Sequence, residues 1–264
     1  MDLETKEKLE IDFWRNSPTE NPGLNSIETI VDKMSDAVIL LECLSQYRDI
    51  FSRATTVLEL GAGQGWASCI VKRLYPRTKV TTTDISEYAL ASIHKWEHIF
   101  QVKVDAVKAC RSYQIPENDG SINCIFCFAS AHHFAAHRRT FEEIYRVLAP
   151  DGNCIYFYEP SCPSYIHTLA KWRVNRKRPQ VPEDVLIFRK IRALARSTGL
   201  SCTLDFYPSI SKRGPIETVY YAVLRQFPVL QHLIPSTGQL DCYRFCVKDV
   251  LVAAIKSFDM RLHR

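Results

Sequence analysis

The sequence predicts an α/β fold built on a mostly parallel sheet with helices on both faces, and three observations carry that prediction. From about residue 51 onward, short β-rich runs alternate with helical stretches. The run at 56–60 passes directly into a glycine-rich turn and then a helix, and the next strand-like run is closed by the carboxylate of Asp84.

The elements follow in order. A long helix is expected from Asn25, because Asn25-Ser-Ile-Glu28 has capping-box spacing and Ile27, Ile30, Val31, Met34, Val38 and Leu41 recur at helical intervals. It reads as an amphipathic lid or flank within residues 1–50. Strands are expected at 56–60, 79–83, 102–107, 122–128 and 153–158, with helices at 65–75, 86–100 and 138–148 between them. An irregular basic stretch follows Pro160. Then come a helix at 183–197, with Pro182 ahead of it and Gly199 near its end, and two further strands at 201–207 and 218–224.

At 264 residues the chain has the length of one α/β domain with additions. We divide it into the flank at 1–50 and a domain at 51–264, whose core is 54–160 and whose remainder, 161–264, completes the sheet and one side of a pocket. The 46% apolar and 24% charged composition is that of a soluble protein, and no apolar run approaches the roughly 20 residues that span a bilayer. The acidic start does not resemble a secretory signal. The ten scattered cysteines fit a reduced, cytoplasmic setting. Cys124 and Cys127 form a C-x-x-C inside an apolar run with no second pair at zinc-like spacing, so we expect core packing and no metal site. Residues 1–160 hold 17 Lys+Arg and 22 Asp+Glu, while 161–264 hold 17 and 7; the later segment therefore suits an anionic partner.

The glycine turn Gly61-Ala-Gly63-Gln-Gly65 leaves no side chains where a ligand must lie against the backbone. About 20 residues on, Asp84 is placed to accept hydrogen bonds from both hydroxyls of a ribose. A nucleoside-containing cofactor is implied. The dinucleotide fingerprint needs a glycine where this chain has Trp66, whose bulk crowds the helix start that holds a pyrophosphate. An NAD-dependent oxidoreductase is therefore disfavoured.

E-L-G-A-G-Q-G at 59–65, the acid at Asp84, D-G-S-I-N-C-I-F-C-F-A-S-A-H-H-F at 119–134 and I-Y-R-V-L-A-P-D-G-N-C-I-Y-F-Y-E-P at 144–160 together resemble the class I S-adenosylmethionine-dependent methyltransferase family, of the type 11-like methyltransferase domain. The resemblance implies a Rossmann-like seven-stranded sheet whose last strand is antiparallel, with S-adenosyl-L-methionine as cofactor. It further implies that Glu59, Gly61, Gly63 and Gly65 lie near the methionine part, that Asp84 is on the ribose, and that Ala129 to His133 border the methyl group. Ile85, next to Asp84, and Arg111 complete the cofactor-side candidates. The chain departs from the family pattern at Cys110-Arg111, where the carboxylate for the adenine amino group is absent. Asn123 replaces an Asp in the fourth strand, and Asp151 replaces a turn glycine, leaving Gly152.

His132 and His133 are candidates for a general base or for positioning the acceptor, with packing or capping as the alternative. Glu159, at the end of the fifth strand, is either an acceptor contact or a structural turn carboxylate. Phe13, Trp14, Tyr220 and Tyr221 are aromatics for a pocket or for the core. Lys171 to Arg178 holds five cations in eight residues around Trp172. It reads as a solvated face or as a contact for phosphate, an anionic glycan or lipid surface, or nucleic acid. The expected activity is methyl transfer to an oxygen or nitrogen of a small-molecule or carbohydrate-type acceptor, phosphorylated ones included. One alternative is an RNA methyltransferase, favoured by the basic second half but without a recognisable RNA-binding module. The other is a non-catalytic cofactor-binding or interaction protein of the same fold, motivated by the missing acid.

Overall fold

The computed structural model describes residues 2–17, 21, 27–177, 184–206, 219, 222–223, 226–227 and 241–247. Ahead of the expected elements stands a helix the sequence reading did not include, α1 (Leu3–Asn16), capped by Asp2, whose Oδ1 accepts the Thr5 N–H at 2.8 Å. Next come α2 (Ile27–Gln46) and α3 (Arg48–Arg53). The start foreseen at Asn25 lies outside the described residues.

The alternating part follows: β1 (Thr56–Leu60), α4 (Trp66–Leu74), β2 (Lys79–Asp84), α5 (Glu87–Leu90), α6 (Ile93–Phe100), β3 (Ala106–Ala109), β4 (Ile122–Phe128), α7 (His137–Val147) and β5 (Leu148–Glu159). Beyond it lie β6 (Ser161–Cys162), α8 (His167–Lys177), β7 (Leu186–Ile187), α9 (Phe188–Ser197), β8 (Leu200–Phe206) and β9 (Asp241–Val247).

Seven strands form one sheet in the order β3-β2-β1-β4-β5-β9-β8, and β6 pairs with β7 apart from it. All neighbours from β3 to β5 are parallel, whereas β9 runs antiparallel to both β5 and β8. The strand order reverses between β1 and β4, so the crevice outside their carboxyl ends is the place where such a sheet accepts a ligand.

Side-chain alternation divides the strands between two cores. Val57, Val80, Phe126 and Phe157 pack with α2, α3, α4 and α6 on one face, while Leu58, Ile125, Cys127 and Tyr156 pack with α7 and α9 on the other. The C-x-x-C falls under the same rule. Three residues apart on a strand, Cys124 and Cys127 point to opposite faces, each fully buried in its own core, and cannot converge on one ion.

Several expectations need correction. In α2 the buried residues are Thr29, Ala37, Ile39, Leu40, Cys43 and Leu44, while Ile27, Val31, Val38 and Leu41 from the anticipated apolar face are exposed. The single helix expected at 86–100 is two, broken near Ser92, whose N–H turns back to Ala89 O at 3.1 Å, and Ile93 is thereby laid against Gly65. β3 begins four residues later than expected. The helix expected from 183 starts at Phe188, because Leu186 and Ile187 are buried in a strand pair with Ser161 and Cys162. Of the strand expected at 218–224, only Val219, Ala222 and Val223 are described, and they are helical. The place in the sheet belongs to β9, whose Tyr243 and Phe245 alternate into the core.

Candidate active site

Beyond the carboxyl ends of β1 to β4 lies a cavity of about 790 Å³. Its floor is the turn from β1 to α4. Gly65 has φ +80°, a left-handed conformation that favours glycine, and a Cβ there would stand 2.1 Å from Ile93 Cδ1, which would have to shift. Gly63 donates its N–H to Asp84 Oδ2 at 2.8 Å, and a Cβ on it would meet the Trp14 ring at 2.9 Å. At Gly61 a Cβ would meet Ser130 Oγ at 2.8 Å.

Asp84, buried at the end of β2, lines the cavity, and its Oδ1 accepts the Ser86 N–H at 2.8 Å. Burial pushes its pKa up to about 6, against the pull of the backbone N–H groups of Ser86 and Gly63. Ile85 and Ala129 also line the wall. Ala129 adopts φ +49° and donates its N–H to Phe157 O at 2.9 Å, a left-handed residue at the point where β4 gives way to the loop. Glu59 and Gly65 lie behind the wall. The Glu59 carboxyl accepts the Ser68 hydroxyl, and burial pushes its pKa up to about 8.

The two histidines separate. His132 is buried, its Nδ1 2.9 Å from Glu159 Oε2. Glu159 also accepts the N–H groups of Ser130 and Ala131 on Oε1, at 2.9 and 2.8 Å, and of His132 on Oε2 at 3.1 Å. Burial raises the Glu159 pKa, but the bond and charge of His132 and those backbone donors outweigh it and leave the carboxylate below its ordinary range. The pair thus clamps the turn that follows β4 from outside the cavity wall. His133 does line the cavity, and its Nδ1 is 2.7 Å from Glu10 Oε1.

Glu10 belongs to α1, which roofs the cavity together with part of α2. Arg111 donates from Nε to Glu7 Oε2 at 2.8 Å, and the Tyr113 hydroxyl donates to the other Glu7 oxygen. The Arg139 guanidinium covers the Tyr113 ring, 4.1 Å from its centre. Sequence reasoning found Phe13 and Trp14, which both line the cavity, but missed Glu7 and Glu10. The signal was available, since Glu7, Glu10 and Trp14 recur at helical spacing behind a capping Asp2. Tyr220 and Tyr221 lie outside the described residues.

The two remaining departures have local explanations. Asn123 Oδ1 accepts the N–H groups of Thr55 and Thr56, each at 3.1 Å, as a carboxylate oxygen also does. Gly152 must stay glycine, because a Cβ would stand 2.9 Å from Ala149 O, whereas Asp151 is exposed.

A seven-stranded sheet of this order, with a glycine turn and a strand-end carboxylate at its switch point, defines the class I methyltransferase fold. Residues 58–156 match the family model described as a methyltransferase domain, and this segment belongs to that family. That segment is a methyltransferase domain, of the class that uses S-adenosylmethionine as cofactor. Among solved structures it is similar to geranyl diphosphate C-methyltransferase from Streptomyces coelicolor A3(2), at 13% identity and TM-score 0.61, covering 95% of this chain and 100% of the other. A protein from Pyrococcus horikoshii OT3 is similar at 16% identity and TM-score 0.57, covering 90% and 99%. An O-methyltransferase family protein from Burkholderia thailandensis matches at 15% and 0.57, covering 84% of this chain and 57% of that one. At these identities the likeness is one of fold. No curated protein matches the sequence. Among the described residues no helix is long and apolar enough to cross a membrane.

Proposed function

We propose that this cavity is the active site, in which a methyl group passes to an oxygen or nitrogen of a small acceptor. Residues 1–50 act as a lid on a methyltransferase domain at 51–264, and 54–160 bind the cofactor. The observation that carries this reading is that one cavity brings the turn residues Gly61 to Gln64 and Asp84 to face His133.

The residues present fit the cofactor. Asp84 has a lone-pair site on each oxygen beyond the one its backbone donor uses, enough to accept two ribose hydroxyls. With its pKa at about 6 it is ionised at neutral pH. Gly61, Gly63 and Ala129 offer backbone without bulk along the wall, and Trp14, Trp66 and Phe128 offer ring surface to a cationic sulfur and an adenine. The carboxylate absent at position 111 is returned by Glu7, which Arg111 and Tyr113 hold at the cavity wall. Glu59 and Gly65 support the turn from behind.

When bound, the cofactor supplies a methyl group on a positively charged sulfur, open to an acceptor lone pair on the side opposite the sulfur. The protein's work is to align the acceptor and exclude water. Donation of Nδ1–H to Glu10 makes Nε2 the basic nitrogen of His133, suited to take the proton of an acceptor hydroxyl or ammonium. His132 and Glu159 act on the reaction only by holding the turn that carries Ala129 and His133.

The wall also bears on the acceptor. Glu7, Glu10, Glu28, Asp32, Asp36 and Asp84 face Lys6, Lys33 and Arg111, six carboxylates against three cations. That balance favours neutral or cationic acceptors over the phosphorylated ones and RNA that the basic second half suggested.

Calorimetric titration with S-adenosylmethionine and S-adenosylhomocysteine tests the reading. Binding of both near micromolar affinity, about −8 kcal/mol, is expected. Absence of binding by either overturns the assignment of the cavity.

A further inference from the structure

Helix α8 turns its large apolar side chains away from the protein. At about 100° per residue, Leu169, Trp172 and Arg176 share one face. Leu169 is 65% exposed and Trp172 59%, with Tyr165, one turn earlier, 66% exposed. The opposite face, with His167, Ala170, Val174 and Asn175, is the half-buried one. This inverts the usual polarity of a surface helix. An apolar and aromatic ridge in water calls for a partner.

The charge around the ridge indicates which partner. Residues 160–182 contain no Asp or Glu, while the helix carries Lys171, Arg173, Arg176 and Lys177. The Arg176 guanidinium lies 5.4 Å from the centre of the Trp172 ring. Asp184 is engaged with His167 and Lys171, at 3.3 Å each, on the inner side of the helix.

We propose that α8 docks the protein on an anionic phospholipid surface. Trp and Tyr rings settle at the headgroup level, Leu169 enters the boundary with the acyl chains, and the cations meet the phosphates. A nucleic acid would use the cations and the rings but gain nothing from Leu169.

The test is co-sedimentation of the full chain with vesicles of phosphatidylcholine alone and of phosphatidylcholine mixed with phosphatidylglycerol. Retention on the anionic vesicles that weakens with salt is expected. Trp172→Ser and Leu169→Ser should each lower it about tenfold, and Arg176→Glu, two charge units less, about thirtyfold. These side chains are exposed, and an unchanged thermal unfolding curve shows that each variant is folded. No retention on anionic vesicles at low ionic strength, or retention that the three variants leave unchanged, overturns the proposal. Retention on single-stranded RNA with none on the vesicles assigns the ridge to nucleic acid and overturns it as well.

Discussion

On the proposed reading Asp84 and His133 divide the work of the cavity between cofactor and acceptor, and single substitutions should separate them. Asp84→Ala is expected to weaken S-adenosylmethionine binding by about 1.5–3 kcal/mol, the scale of hydrogen bonds to a charged group; calorimetry with unchanged affinity would refute its place on the ribose. His133→Ala should instead lower kcat, by about 10²–10⁴-fold if the ring removes a proton, with cofactor affinity retained. Glu10→Gln should shift the pH profile of kcat, since the carboxylate that holds Nδ1 is gone. Equal turnover in both variants assigns His133 to packing. Asp84 and the glycines were legible because a strand, a turn and a second strand place them by local spacing. Glu7 and Glu10 were legible only as one face of a helix; their meeting with Arg111 and His133 was not, because it spans 104 and 123 residues of chain, a distance that no periodicity covers. His132 and Glu159 were found as residues, but their mutual bond, which turns them from the cavity, depends on a backbone turn that only the fold displays.

Helix α1 is the element on which the cavity depends most directly, since it brings Glu7, Glu10 and Trp14 to the mouth together. Besides the Trp14 ring packed at Gly63, it is tied to the wall by Glu7 with Arg111 and Tyr113 and by Glu10 with His133. Arg111→Ala should therefore speed amide hydrogen exchange in residues 3–16 while leaving β1 and β4 protected; uniform exchange across the chain would mean that the variant loosens the whole fold and not the lid. The strands β1, β2 and β4 were legible because buried parallel strands read as near-continuous apolar runs or end at a marked turn. Helix α2 was foreseen as a helix but assigned the wrong inner face. Ile27, Val31, Val38 and Leu41 make one apolar stripe, and Ile39, Leu40, Cys43 and Leu44 make another; only the position of the sheet decides between them. β9 alternates Tyr243 and Phe245 with Cys242, Arg244 and Cys246, a pattern present in the sequence but separated from β8 by 34 intervening residues, 207–240.

For the molecule as a whole, the buried carboxyls set a pH dependence opposite to the usual one for acids. Glu59 holds its proton to about pH 8 in the folded protein and to about 4.5 when exposed, so the native state binds more protons throughout that interval. Stability contributed by the protonated group is full below about 4.5 and falls as pH rises to about 8, on the order of a few kcal/mol. Asp84 adds a decline of the same sign between 3.8 and about 6. Glu59→Gln, which matches the protonated shape, should flatten the slope; urea unfolding at a series of pH values that finds parallel slopes in the two proteins would exclude Glu59 as its source. The distribution of sulfur has its own consequence. Eight of the ten cysteines are buried, leaving Cys110 and Cys246 half-exposed, and burial pushes the Cys69 and Cys110 thiols up to about 12 and 11. Since the thiolate is the species that reacts, oxidants and alkylating reagents meet an almost inert surface while the chain is folded. Opening the chain exposes all ten at once, so the first unfolding in air becomes a point of no return and the rate of thiol labelling becomes a clock for it.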